Sequence, residues 1–287
     1  MKLKTFFVIA LLTVKCSLFS IEQDEIVTSI TFENCADFII DKTKAFKPEN
    51  VKDGDIIYVE GAQLRFFFSE CHPKITNRYI LISHYGDVSV PGKNVSVLDE
   101  DKLIAWFGIN VENCQHPKMI AIPIGAGITN IAALAKRATN LNNAKKYLLY
   151  MNFNINNYPS ERRHVQQLFL YKPFCYRSEF KSYNLFIDDI ADSKFVLSPR
   201  GAGWDCYRTW EAMYINSIPI VKTSPLNSLF DGLPVLIVNR WEEINEPFLN
   251  RKYQEMKVKK YNLEKLSAKY WVDQIMAKKA AALNESM

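Results

Sequence analysis

Only four of the 287 residues are histidine and six are cysteine. No CxxC pair and no ligand-like histidine spacing occurs, which speaks against a zinc site. Both standard phosphate-binding fingerprints, GxGxxG and GxxxxGK[ST], are missing. No internal repeat or low-complexity tract appears, which excludes repeat arrays. Charge of one sign is also scarce: the net value is +5, spread along the chain. Its one basic cluster, Lys252 to Lys260, reads as the solvated face of a surface helix. Without an accompanying motif it gives no reason to expect a nucleic-acid partner. Beyond residue 20, no apolar run is long enough to span a bilayer.

A hydrophobic content of 48%, with 13% aromatic, lets this length bury one large core or two moderate ones. The first twenty residues differ in kind. Lys2 and Lys4 precede an apolar run from Phe6 to Val14, and the small residues Cys16, Ser17 and Ser20 follow. That is the shape of a secretory signal peptide or short anchor, with membrane association through the N-terminus as the alternative to cleavage. Cleavage would remove Cys16 and leave five cysteines, an odd number, so at least one thiol stays unpaired. Asn94-Val-Ser96 and Asn284-Glu-Ser286 match the N-glycosylation acceptor triplet.

Apolar runs at Asp55–Val59, Arg78–Ser83, Lys102–Phe107 and Met119–Pro123 predict strands. They alternate with helical stretches at 61–70 and 131–137 in an α/β pattern. The polar stretch Asn140–Lys146 reads as a linker. A second series follows: strands at Tyr147–Met151, Phe195–Leu197, Ile218–Val221 and Pro234–Val238. Between and after them lie helices at 161–170 (capped by Ser160), 185–190, from Asp205 onward, in pieces over 242–256, and at 263–283. The chain thus divides into residues 21–139 and 147–287, two Rossmann-like halves with a cleft between them.

The second series is organised around Phe195–Val221. A buried strand runs into Ser198-Pro-Arg-Gly-Ala-Gly203, then into a helix that must stop at Asn216, a residue suited to left-handed backbone. Ser198, Gly201 and Gly203 can present amides to an anion at a helix start. Arg200 and Arg208 flank that point, and Glu211 stands one turn beyond Arg208. A nucleotide diphosphate would satisfy this set, with amides and arginines on phosphate and a carboxylate on ribose hydroxyls. An Arg208–Glu211 surface pair with glycines that merely turn the chain is the plainer alternative. Arg162, after the Tyr147–Met151 strand, could also approach phosphate.

These residues carry a resemblance. Ser198-Pro-Arg-Gly201, Arg208, Glu211-Ala212 and Ser217-Ile-Pro-Ile-Val221 are similar to the donor-binding segment of exostosin-like glycosyltransferases. The similarity is clearest over residues 147–245. It implies a GT-B-like fold and transfer of a sugar from a nucleotide-diphosphate donor to a glycan or other hydroxyl acceptor. The nucleotide sugar is then a co-substrate, and no other cofactor is implied. Arginines and helix dipole would offset the leaving diphosphate, so no metal is required. Arg200, Gly201, Gly203 and Arg208 would hold the diphosphate and Glu211 the ribose, with Ser224 and Arg162 as further donor contacts. Where that family usually has Gly before the IPIV strand, this chain has Asn216-Ser217, a local change of turn chemistry.

For the acceptor side, His84 and Asp87 follow a buried strand and could serve as catalytic base. A histidine bonded within its loop is the competing reading of His84. Asp53-Gly-Asp55 and Asp99-Glu-Asp101 look like DxD metal motifs, but both fall in polar turns where acids cap and solubilise. A competing function is a non-catalytic carbohydrate- or nucleotide-binding protein built on the same fold. The leader-like N-terminus points to the secretory pathway or a membrane. That means a Golgi-like lumen in a eukaryote, or export or inner-membrane association in a bacterium.

Overall fold

The computed structural model describes residues 22–43, 46–112, 114–141 and 144–284. The signal-like segment 1–20 lies outside the described residues. Among the described residues, no helix is long and apolar enough to cross a membrane.

Two five-stranded parallel sheets make up the molecule, as the α/β reading expects. The first is ordered β1 (Phe38–Ile40), β2 (Asp55–Glu60), β3 (Tyr79–His84), β4 (Leu103–Gly108) and β5 (Met119–Ala121). Every residue of β3 is buried. A central parallel strand covered on both faces needs such a nearly continuous apolar run. The second sheet contains β6 (Tyr147–Met151), β7 (Cys175–Arg177), β8 (Ser193–Leu197), β9 (Ile218–Lys222) and β10 (Leu236–Val238), in the order β10-β9-β8-β6-β7. The winding direction reverses between β6 and β8. In a parallel sheet such a reversal opens a crevice outside the strands' carboxyl ends.

Helices α1 (Ser29–Glu33), α2 (Leu64–Phe66) and α3 (Ile131–Ala138) belong to the first series. Helices α4 (Pro159–Phe169), α5 (Tyr183–Ala191), α6 (Tyr207–Tyr214), α7 (Glu246–Lys257) and α8 (Ala268–Asn284) follow. One face of the second sheet buries Leu149 and Phe195 against Val165 and Phe169 of α4 and Leu249 of α7. The other face shares a single apolar core with the first half, in which Trp210 and Ile215 join Phe32 and Trp106. The final helix returns to the first half. Lys279 Nζ meets the Asp37 carboxylate at 3.0 Å, and Arg78 donates to the Ala282 carbonyl.

Asn216 does adopt left-handed backbone, φ +58°, at the end of α6. Helix α4 starts at Pro159 after Tyr158, so Ser160 lies inside the first turn and does not cap it. The stretch 61–74 breaks into short turns of differing pitch, not one helix. The two acidic triplets sit before or at the amino ends of β2 and β4, away from the carboxyl-end crevice. There Asp53 pairs with Arg78 at 2.7 Å and Asp55 accepts the Lys52 N–H. The described cysteines are all free thiols.

Candidate functional site

Strand β8 ends at Leu197, and the chain leaves the sheet through Ser198, whose hydroxyl lies 2.8 Å from that of Thr209 on α6. The N–H groups of Gly201, Ala202 and Gly203 have no acceptor among the described residues. Arg200 stands beside them. Its guanidinium carbon lies 3.7 Å from the centre of the Trp204 ring and 4.5 Å from that of Tyr158, and it donates to the Gly201 and Ala202 carbonyls. Stacking between two aromatic faces fixes the plane of an arginine without neutralising it. Arg200, Ser198, Thr223 and Ser224 line one 160 Å³ pocket at the carboxyl ends of β8 and β9, closed by Tyr158 and Trp204. The structure thus brings Arg200 and Ser224 together. Tyr158 and Trp204 are the members that sequence reasoning missed. Aromatic residues close to the PRG loop were the available signal.

Arg162 and Arg208 have a different place. Both are buried beneath the loop, and their donors go to main-chain carbonyls. Arg208 donates to Leu197, Asn152 and Pro199; Arg162 donates to Arg200, Asn154 and Pro199. The two guanidiniums share the Pro199 carbonyl oxygen and staple the ends of β6 and β8 together across the crevice. Burial, then the neighbouring Arg208 charge, lowers the Arg162 pKa to about 10. In this geometry neither grips a phosphate bidentately. They set the loop's shape and leave positive charge beneath it. The half-exposed Cys206 thiol between them has its pKa drawn down. Burial opposes that shift, which comes from Arg208, the Ser198 and Thr209 hydroxyls and Arg162.

Glu211 is buried and accepts a hydrogen bond from the Tyr183 hydroxyl at 2.9 Å. No ion pair joins it to Arg208 among the described residues, so the surface-pair alternative does not hold. Burial raises its pKa to about 7, while Tyr183 and Arg208 pull in the opposite direction. The sign of the effect on stability follows. From about 4.5, the ordinary value, up to about 7, the folded state keeps a proton that the unfolded chain has released. Stability therefore falls as pH rises through that window, and the penalty is complete above it. Glu211→Gln keeps the acceptor for Tyr183 and removes the charge. It is expected to stabilise the protein at pH 8 by at most about 3 kcal/mol and to change little at pH 4.5. Urea denaturation at the two pH values checks this, and equal effects at both would refute it.

Loop 201–205 docks on the first half. The Trp204 N–H donates to Asn110 Oδ1 at 3.0 Å, and its indole N–H to Glu112. A Cβ on Gly203 would overlap Asn110 Oδ1, so only glycine allows this approach. Asp205 does not cap α6, whose N-cap is Cys206. Its Oδ2 accepts the Ile124 N–H and the Trp210 indole N–H, tying the halves together.

In the first half, His84 is 2% exposed and stacks on Phe32. Its Nε2–H donates to the Pro123 carbonyl and its Nδ1 accepts the Tyr85 N–H, so both nitrogens are occupied. Burial lowers its pKa to about 4. The loop-bonded reading of His84 describes this geometry, and a base with no free nitrogen cannot take an acceptor's proton. Asp87 is exposed in the turn beyond it.

Residues 159–281 match the family model described as the RXYLT1 C-terminal domain. No curated protein matches the chain. Among solved structures the chain is similar to one described as "Trehalose-6-phosphate from E. coli bound with UDP-2-fluoro glucose". Identity is 10% over 82% of this chain and 73% of that chain, with a TM-score of 0.36.

Proposed function

We propose, from the match of residues 159–281 to the RXYLT1 C-terminal domain model and the resemblance to exostosin-like glycosyltransferases, that the protein transfers a sugar from a nucleotide-diphosphate donor to a hydroxyl acceptor. One observation carries the reading. The stacked Arg200, with Ser198, Thr223 and Ser224, lines a pocket at the carboxyl end of β8, beside the point where the second sheet reverses its winding, and the loop that follows Arg200 carries three amides without an acceptor among the described residues. The diphosphate binds there, on the amides of residues 201–203, on Arg200 and on the Ser198 and Ser224 hydroxyls. Arg162 and Arg208 support it from beneath through the loop. Glu211, ionised, accepts the ribose hydroxyls, and Asp87 is the base that takes the proton from a glycan or glycoconjugate hydroxyl. Arg200 and the loop amides offset the leaving diphosphate's charge without a metal. The signal-like N-terminus and the family together favour the secretory pathway, where donor and acceptor would meet.

Calorimetric titration with uridine and guanosine diphosphates tests the donor side. The wild type is expected to bind one of them, and Arg200→Ala to weaken that binding about tenfold or more, as for loss of a charge-assisted contact. If the wild type binds no nucleoside diphosphate, the transferase reading fails.

A further inference from the structure

The turn that leaves β3 is held in a conformation its sequence does not favour. Tyr85 has φ +57°, a left-handed backbone that an aromatic residue rarely adopts. Three contacts hold it there. The Tyr85 N–H donates to His84 Nδ1 at 2.8 Å, and its carbonyl accepts the Gly61 N–H at 2.9 Å. The next carbonyl, of Gly86, accepts from Asn110 Nδ2 at 3.4 Å. The core gains nothing from this arrangement, because the Tyr85 side chain it presents is 53% exposed. Strained, over-determined turns with an exposed aromatic residue concentrate where ligands bind.

The turn also has a fixed position relative to the second half. Asn110, which holds Gly86, accepts the Trp204 N–H with its other side-chain atom, three residues before Tyr207. Tyr207 opens α6, is 42% exposed, and lies with its ring over Gly127, 3.6 Å from where a Cβ there would stand. Its hydroxyl pKa is raised by burial first and then by the charges of Tyr85, Asp87, Glu211 and Asp205.

We propose that Tyr85 and Tyr207 form the acceptor subsite of this cleft and take a sugar ring between the halves, with Asp87 receiving its hydroxyls. This rests on the transferase reading for its direction, since Tyr85 and Asp87 stand on the first half and Tyr207 opens α6 just beyond the donor loop. An aromatic face covers the C–H face of a sugar, and a carboxylate at its edge reads the hydroxyls. The chemistry therefore favours a carbohydrate hydroxyl over a lipid or peptide one.

The test is saturation-transfer NMR with the methyl β-glycosides of glucose, galactose, mannose, N-acetylglucosamine and xylose, run beside titration with uridine and guanosine diphosphates. The wild type is expected to bind at least one glycoside. Tyr85→Asn, which tolerates left-handed backbone, should weaken it about fivefold or more, and Tyr85→Phe should keep it within about twofold. Tyr207→Leu leaves the turn untouched and should also weaken it, which decides the matter if Tyr85→Asn folds poorly. Nucleotide affinity should stay within about twofold in all three variants. Glycoside binding that survives both Tyr85→Asn and Tyr207→Leu, or its absence in the wild type, overturns the subsite. Absence of nucleotide binding in the wild type instead overturns the donor reading, and leaves the glycoside result to stand or fall separately.

Discussion

Arg208→Ala is expected to cost about 3–5 kcal/mol of stability and to lower the melting temperature by on the order of 10 °C. The side chain is buried, and when it goes the Asn152 and Leu197 carbonyls at the ends of β6 and β8 lose its donors, while Pro199 keeps only the one from Arg162. Arg208→Lys should recover little, because one ammonium cannot reach three carbonyls spread around a planar fork. Scanning calorimetry of both variants checks this, and an Arg208→Ala protein melting within about 2 °C of the wild type would refute it. The consequence for function is specific. Loss of nucleotide binding in Arg208→Ala would follow from collapse of the loop as readily as from a lost phosphate contact. Arg200→Ala is the variant that separates the two, since its guanidinium bonds only its own loop and its stacking partners.

That distinction also marks how far the sequence could be read. The Ser198–Val221 unit showed its strand, loop and helix because each carries an unambiguous local signal: an apolar run, paired glycines, an apolar stripe of helical spacing. Asn216 was legible for the same reason. What a linear pattern does not contain is the partner of a long side chain. Arg208 on a phosphate and Arg208 on three carbonyls have the same sequence, and only the approach of β6 to β8 decides between them. His84 likewise follows a buried strand in either role; Pro123, a residue 39 positions away, occupies its second nitrogen. His72 bonds Tyr79 and Glu100, and the 28 positions between His72 and Glu100 hide that second contact from any local pattern. Strands β1 and β7 show no such signal: each is three residues long and, unlike the equally short β5 and β10, neither lies in a five-residue apolar run. The return of α8 to the first half leaves no local trace at all, since an amphipathic helix reads the same whichever sheet it covers.

Gly125→Ala should be more damaging than its modest chemistry suggests. Gly125 lies between β5 and α3 with φ +72°, and a Cβ there would overlap the Val27 carbonyl oxygen and stand 2.7 Å from its carbon. The obstacle is main chain, so no rotamer change relieves it. Val27 cannot retreat cheaply either. Its carbonyl accepts the Ala126 N–H at 2.8 Å, and its N–H donates to the hydroxyl of Tyr214 on α6, which itself donates to the Leu266 carbonyl. The strand of contacts runs from the first half through Val27 into the helix that carries Glu211. Displacing it would break two or three buried hydrogen bonds at about 1 kcal/mol each, on top of a left-handed backbone penalty of about 1 kcal/mol. We expect a loss of roughly 4 kcal/mol or more, seen as a melting point lowered by on the order of 10 °C. Gly92→Ala supplies the control. Gly92 is also left-handed, φ +53°, but a Cβ there would meet nothing within 4 Å, so it should cost only the backbone penalty. If both variants melt alike, the close seat of Val27 against Gly125 is not what joins the halves. If Gly125→Ala alone falls, the cleft's width is set by this seam, and nucleotide affinity should fall with stability in Gly125→Ala but not in Gly92→Ala.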